Sequence, residues 1–152
     1  MESTARFLLF PALFFFPACA PVEGAERIAG PVEAEIVRIV DGDTLLVSAR
    51  PWPQQSVEVY VRLRGIDTPE LRAQCPATRQ QAKRAKAMLA ELLENQTRIL
   101  LTDIEGDKFF GRVVADVQLS TGGNPAYDLI ATGLAVPYEG GARVAPICAF
   151  SG

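Results

Sequence analysis

Apolar and polar residues alternate along much of the chain between Ala34 and Leu119. Ala34 to Val40 is apolar and β-branched, Asp41-Gly42 is a strong turn signal, and Thr44 to Val47 resumes strand character, so a hairpin is expected here. Pro51-Trp52-Pro53 marks the next loop. Val57, Val59, Val61 and Leu63 then alternate with Glu58, Tyr60, Arg62 and Arg64, a period of two with one buried face. Arg62 falls on the side opposite Val61 and Leu63.

The period then lengthens. Ala82, Ala85, Leu89, Leu92 and Leu93 share one face of a helix, which Thr78 and Gln81 open as a capping box and Asn95 can end. Thr97 to Ile104 predicts a further strand, followed by a charged, glycine-flanked loop over Glu105 to Gly111. Val113, Ala115, Val117 and Leu119 alternate with Arg112, Val114, Asp116 and Gln118, giving a fifth strand with Arg112 at its start. Gly122-Gly123-Asn124 turns the chain, and Pro125 to Thr132 suits a short helix with proline in its first turn. The order is three strands, a helix, two strands and a short helix. The expected fold class is α+β, mainly β: an OB-type five-stranded barrel with a helix between strands three and four.

The amino-terminal residues stand apart from this pattern. A short polar start carrying Arg6 leads into the apolar run Phe7 to Phe16, and Ala18-Cys19-Ala20 follows as a small-residue cleavage signal. Residues 1–20 therefore read as a secretory signal peptide, with Ala25 a second cleavage point and Cys19 a candidate lipidation site. The apolar run is too short to span a membrane as a helix, and no stable membrane partner is expected. Residues 21–31 read as a linker and 32–152 as the domain, secreted or periplasmic. In that compartment Cys75 and Cys148 are a candidate disulfide, worth about 4 kcal/mol through loop closure. A monomer is expected.

Composition narrows the chemistry. The 152 residues include no histidine, which removes histidine triads, histidine bases and histidine-ligated zinc. A metal would be held by oxygen, which points to calcium or magnesium. The formal net charge of −3 gives no broad basic surface, so a nucleic-acid partner would need local positive charge or a bound cation.

Two acidic clusters lie beside strand ends, Asp41-Gly42-Asp43-Thr44 and Asp67-Thr68-Pro69-Glu70. Each by itself reads more readily as a turn. Joined with Arg62 and Arg112 they suit a phosphodiester: guanidinium and metal charge stabilise a dianionic transition state while a carboxylate activates water. Arginine serves better than lysine because its planar fork matches two phosphate oxygens.

At these residues the chain resembles the staphylococcal nuclease family. The resemblance rests on Ile39-Val40-Asp41-Gly42-Asp43-Thr44, on Val61 to Glu70 (Val-Arg-Leu-Arg-Gly-Ile-Asp-Thr-Pro-Glu), on Gly111-Arg112 and on Gly133-Leu134-Ala135. It implies an OB-fold and Ca2+-dependent hydrolysis of DNA or RNA that leaves 3′-phosphate ends. By position it implies Asp43 and Asp67 as carboxylate ligands to calcium, with Thr68 contributing its backbone carbonyl. Glu70 becomes the general base or the group that positions the attacking water, and Arg62 and Arg112 hold the phosphate and stabilise developing charge. The loop before Arg112 departs from the family pattern, with Phe109-Phe110 where a single tyrosine often stands. Two other readings use the same residues: a non-catalytic OB-fold nucleic-acid-binding module, and an exported calcium-stabilised structural domain, which gives the arginines no role.

Overall fold

The computed structural model describes residues 26–141. The export signal expected over 1–20, Cys19, and the Cys148 end of the expected disulfide lie outside the described residues. Within them the strands are β1 (Arg27–Ile28), β2 (Val32–Ile39), β3 (Thr44–Trp52), β4 (Gln55–Leu63), β5 (Ile66–Asp67), β6 (Arg98–Gly106), β7 (Arg112–Leu119) and β8 (Val136–Pro137). The helices are α1 (Pro76–Leu93) and α2 (Pro125–Ala131).

Strands β2, β3, β4, β7 and β6 hydrogen-bond in that order, and β6 pairs back with β2, so the sheet closes into a five-stranded barrel. All neighbours are antiparallel except β4 and β7, which run parallel. Closure satisfies both edges of the ladder. With two helices against a dominant barrel this is an OB-fold, as the alternation of residue types predicts. The inward positions Val32, Ala34, Leu45, Val47, Val61, Leu63, Ile99, Leu101, Ala115 and Val117 are buried and form the core. Ladder pairing also reaches into the stretch read as linker: Arg27 and Ile28 lie opposite Glu105 and Ile104 on β6.

Three local expectations are revised. The helix does not begin at a Thr78 capping box; Cys75 takes the N-cap position without a side-chain cap, and Pro76 fixes the first turn. Thr78 is instead buried under the first turn beside Ala82 and Ala85. Leu92, expected on the buried face, is only half-buried, because the packed stripe runs through Ala82, Ala85, Leu89 and Leu93. The loop expected at Pro51-Trp52-Pro53 is pushed outward: β3 continues to Trp52, which pairs with Gln55. Val57, just after that hairpin, is exposed despite its inward phase.

Helix α1 closes the barrel end nearest the β2–β3 turn. Lys86 Nζ donates to the Val40 carbonyl at 3.0 Å, and the turn itself passes close under the helix. A Cβ placed on Gly42 would lie 2.7 Å from Ala85 Cβ and 2.9 Å from Thr68 Oγ1, so glycine is required there by close approach. Gly42→Ala is therefore expected to lower stability by about 1–3 kcal/mol. A denaturation midpoint equal to wild type would show that α1, Thr68 and the turn are not clamped together.

Candidate active site

The two acidic segments meet because both flank β4. Thr44 lies opposite Arg62 in the β3–β4 register, and the Leu63 N–H donates to the Asp43 carbonyl at 2.9 Å. Four residues beyond β4's end, β5 brings Asp67 back beside the Arg62 side chain, and Arg62 Nη2 donates to the Ile66 carbonyl at 3.0 Å.

Arg62 joins the carboxylates. Its Nη1 is 2.9 Å from Asp43 Oδ1 and its Nη2 is 2.8 Å from Asp67 Oδ1. Asp43 is held on both oxygens, since Oδ1 also accepts from Thr44 Oγ1 at 3.0 Å and Oδ2 accepts the Thr68 N–H at 3.0 Å. The Arg62 and Asp43 side chains are only 9% and 4% exposed, which makes this a buried ion pair. Burial alone would lower the Arg62 guanidinium, but the Asp43 charge and the Asp67 hydrogen bond outweigh it and hold it above its ordinary value. The sequence reading placed Arg62 on the polar face of its strand; the structure covers that face locally, with the Tyr138 ring 5.7 Å from the guanidinium.

Asp41 sits just outside. Its Oδ1 accepts the Asp43 N–H at 3.2 Å, so it shapes the turn. Burial first, and the Asp43 charge second, push its carboxyl above the usual carboxylate range. A carboxyl raised in the folded state costs stability once the pH passes its unfolded value of 3.8. Asp41→Asn keeps the acceptor and removes the like charge, so in chelator at pH 7 it is expected to stabilise by up to about 1 kcal/mol. A lower melting temperature would refute this.

A cleft of about 1130 Å³ opens over the cluster, lined among others by Arg62, Glu70, Arg112, Tyr138, Phe109 and Tyr127. Glu70 is exposed at its rim, in the turn after Asp67 where its carbonyl accepts the Ala73 N–H at 3.1 Å. Arg112 is delivered by a tight loop in which the Asp107 N–H donates to the Arg112 carbonyl and the Arg112 N–H donates to the Phe109 carbonyl. Gly111 takes a φ of +78° there, a conformation that suits glycine. Arg112 Nε pairs with Asp107, and its guanidinium lies 4.6 Å from the centre of the Phe109 ring. The altered Phe109-Phe110 loop thus still turns Arg112 into the cleft that Arg62 and Glu70 line.

The structure therefore brings Arg62, Asp43, Asp67 and Thr68 into one buried cluster and places Glu70 and Arg112 on the cleft with Arg62. Two contributors escaped the sequence reading. Asp107 orients Arg112, and Arg64 lines the cleft wall, bonding Glu105 Oε2 at 3.2 Å and the Asp103 carbonyl. Arg64 was detectable, since it shares the polar phase of Arg62 along β4. Asp107 was not, because only the loop's closure brings it to Arg112.

A closed OB barrel is a scaffold whose outer face binds oligonucleotides or oligosaccharides. The family profile described as staphylococcal nuclease homologue matches residues 60–145, which includes the end of β4 from Tyr60 to Leu63, the Asp67 to Glu70 segment and the loop that delivers Arg112. The chain belongs to that family. No curated protein gives a significant match that would narrow the assignment further.

Proposed function

We propose that the protein is a calcium-dependent nuclease that hydrolyses phosphodiester bonds in DNA or RNA by in-line attack of water, leaving 3′-phosphate ends. The observation that carries this reading is the Arg62 fork. It holds Asp43 and Asp67 together beneath a cleft that Glu70 and Arg112 also line.

The donor chemistry suits a hard cation. Two carboxylates converge on one guanidinium with no histidine in the chain, and the half-buried Asp41 carboxyl lies beside Asp43. Among the described residues no three His, Cys, Asp or Glu side chains form a complete cage. Asp43, Asp67 and the Thr68 carbonyl would hold the ion. Such an ion, when bound, supplies Lewis-acid stabilisation of charge on the phosphate and a more acidic water.

The protein's own groups do the rest. Glu70, on the exposed rim, takes the proton from the attacking water as the water oxygen bonds to phosphorus, and the P–O5′ bond breaks with the leaving 5′ oxygen taking a proton from solvent. Arg112, steadied at Nε by Asp107, offers its terminal nitrogens to the equatorial phosphate oxygens. Arg62 fixes the two carboxylates and adds positive charge beneath the phosphate. The apolar run before Ala18-Cys19-Ala20 supports action outside the cytoplasm, in a compartment that permits a Cys75–Cys148 bridge.

The deciding experiment incubates protein purified from about residue 26 with single-stranded DNA and RNA in calcium, magnesium or chelator. Calcium-supported cleavage that chelator abolishes is expected. Cleavage that survives chelation would overturn the metal mechanism, and binding without cleavage in any metal would favour the non-catalytic module.

A further inference from the structure

Outside the acidic cluster, basic and aromatic side chains form one cross-strand row on the outer face of the barrel. In the ladder register Arg38 lies opposite Leu46, Leu46 opposite Tyr60, and Tyr60 opposite Arg112. The row therefore crosses β2, β3, β4 and β7 at one level and ends at the cleft. Its span is three inter-strand spacings, about 14 Å.

The side chains connect along this row. Arg38 reaches over the half-buried Leu46, donates from Nη2 to the Tyr60 hydroxyl at 3.1 Å, and lies 5.9 Å from the Tyr60 ring centre. At the other end Arg112 and Lys108 both lie against the Phe109 ring, at 4.6 and 5.2 Å. Arg38, Tyr60, Lys108 and Phe109 are all exposed. Guanidinium or ammonium groups thus alternate with aromatic faces from Arg38 to Phe109. In a chain of net charge −3 this alternation is local, and the acidic row beside it (Glu35 and Glu58, joined through Ser48) bounds it on one side.

We infer that this row is a binding track for single-stranded nucleic acid, carrying the strand from the cleft across the barrel's outer face. Arg38 and Tyr60 form a subsite beyond the scissile phosphate. Aromatic faces stack unpaired bases, and the alternating cations meet the phosphates between them. A duplex offers no free base faces to Tyr60 and Phe109, so a single strand is the occupant. Together with the cleft at which it ends, the row reaches the lower end of the ~4–16 nucleotides that an OB barrel covers. This rests on the nucleic-acid reading above but not on catalysis.

The test is fluorescence anisotropy with labelled single-stranded oligonucleotides of two, four and eight nucleotides, in chelator, so that no strand is cut. Wild type is expected to bind more tightly as length grows. Tyr60→Ala should weaken eight-nucleotide binding about tenfold while leaving the dinucleotide within about twofold, and Tyr60→Phe should stay near wild type. Arg38→Ala should lower the slope of log affinity against log salt by about one. Arg98→Ala, on the far side of β2, serves as the control. Length-independent wild-type binding would overturn the track, as would Arg38→Ala and Tyr60→Ala matching that control. Far-ultraviolet circular dichroism of each variant separates misfolding from lost contact. Length-dependent binding without cleavage in calcium would refute the nuclease and leave the track standing; cleavage without length dependence would do the reverse.

Discussion

Arg62→Ala is expected to lose both the activity and a large part of the stability of the metal-free protein. The guanidinium is the positive partner of two carboxylates, one of them 4% exposed, and its removal takes away the positive charge that lies between Asp43 and Asp67. Breaking a buried pair from one side costs about 3–5 kcal/mol, much of it the penalty of the charge left behind. Loss of transition-state charge at the phosphate should lower kcat/KM by a factor of about 10³. Arg62→Lys should not restore either property, because one ammonium cannot span both carboxylates and the Ile66 carbonyl. Calcium should partly restore the stability of Arg62→Ala, since an ion binding only the folded state stabilises it by mass action. Urea denaturation with and without calcium reads this directly. A variant as stable as wild type in chelator would show that Arg62 does not hold the acidic pair together.

The second large effect separates chemistry from architecture. Glu70 is exposed on the cleft rim, outside the buried cluster, so Glu70→Gln should leave the fold near wild-type stability. The isosteric amide keeps the side-chain volume and loses the basic oxygen. Cleavage under saturating substrate should fall by about 10²–10⁴, with oligonucleotide affinity in calcium unchanged. A kcat within threefold of wild type would remove Glu70 from the base role and leave the ion and the arginines to activate water. The contrast between these variants is informative because the residues lie eight positions apart in one segment. Arg62 loses stability and rate together; Glu70 loses rate alone.

Much of this protein was legible in its residue order. Period-two alternation in Val57 to Arg64 and Arg112 to Leu119 marks strands because side chains must alternate across a pleated sheet. The 3.6-residue period of Ala82, Ala85 and Leu89 marks the helix, and the absence of histidine restricts the chemistry to oxygen ligands and carboxylate bases. Those are local or compositional properties, so a linear reading reaches them. The helix start misled that reading, because Thr78 has the chemistry of a cap but lies on the buried stripe it shares with Ala82 and Ala85, and Pro76 sets the turn earlier.

Only the tertiary structure decided what the residues do to one another. Asp43 and Asp67 are separate turn signals until the β3–β4 register and the β5 return place both on the Arg62 fork. Burial of that fork follows from strand closure and from Tyr138, which β8 brings across Gly65. Arg112 reaches the cleft because the parallel β4–β7 pairing sets it beside Tyr60, a juxtaposition no sequence period encodes. The physical reason is general. Periodicity and composition are set by each segment's own hydrogen bonding and solvation, whereas charge pairing and desolvation depend on which distant segments share a face of the closed barrel.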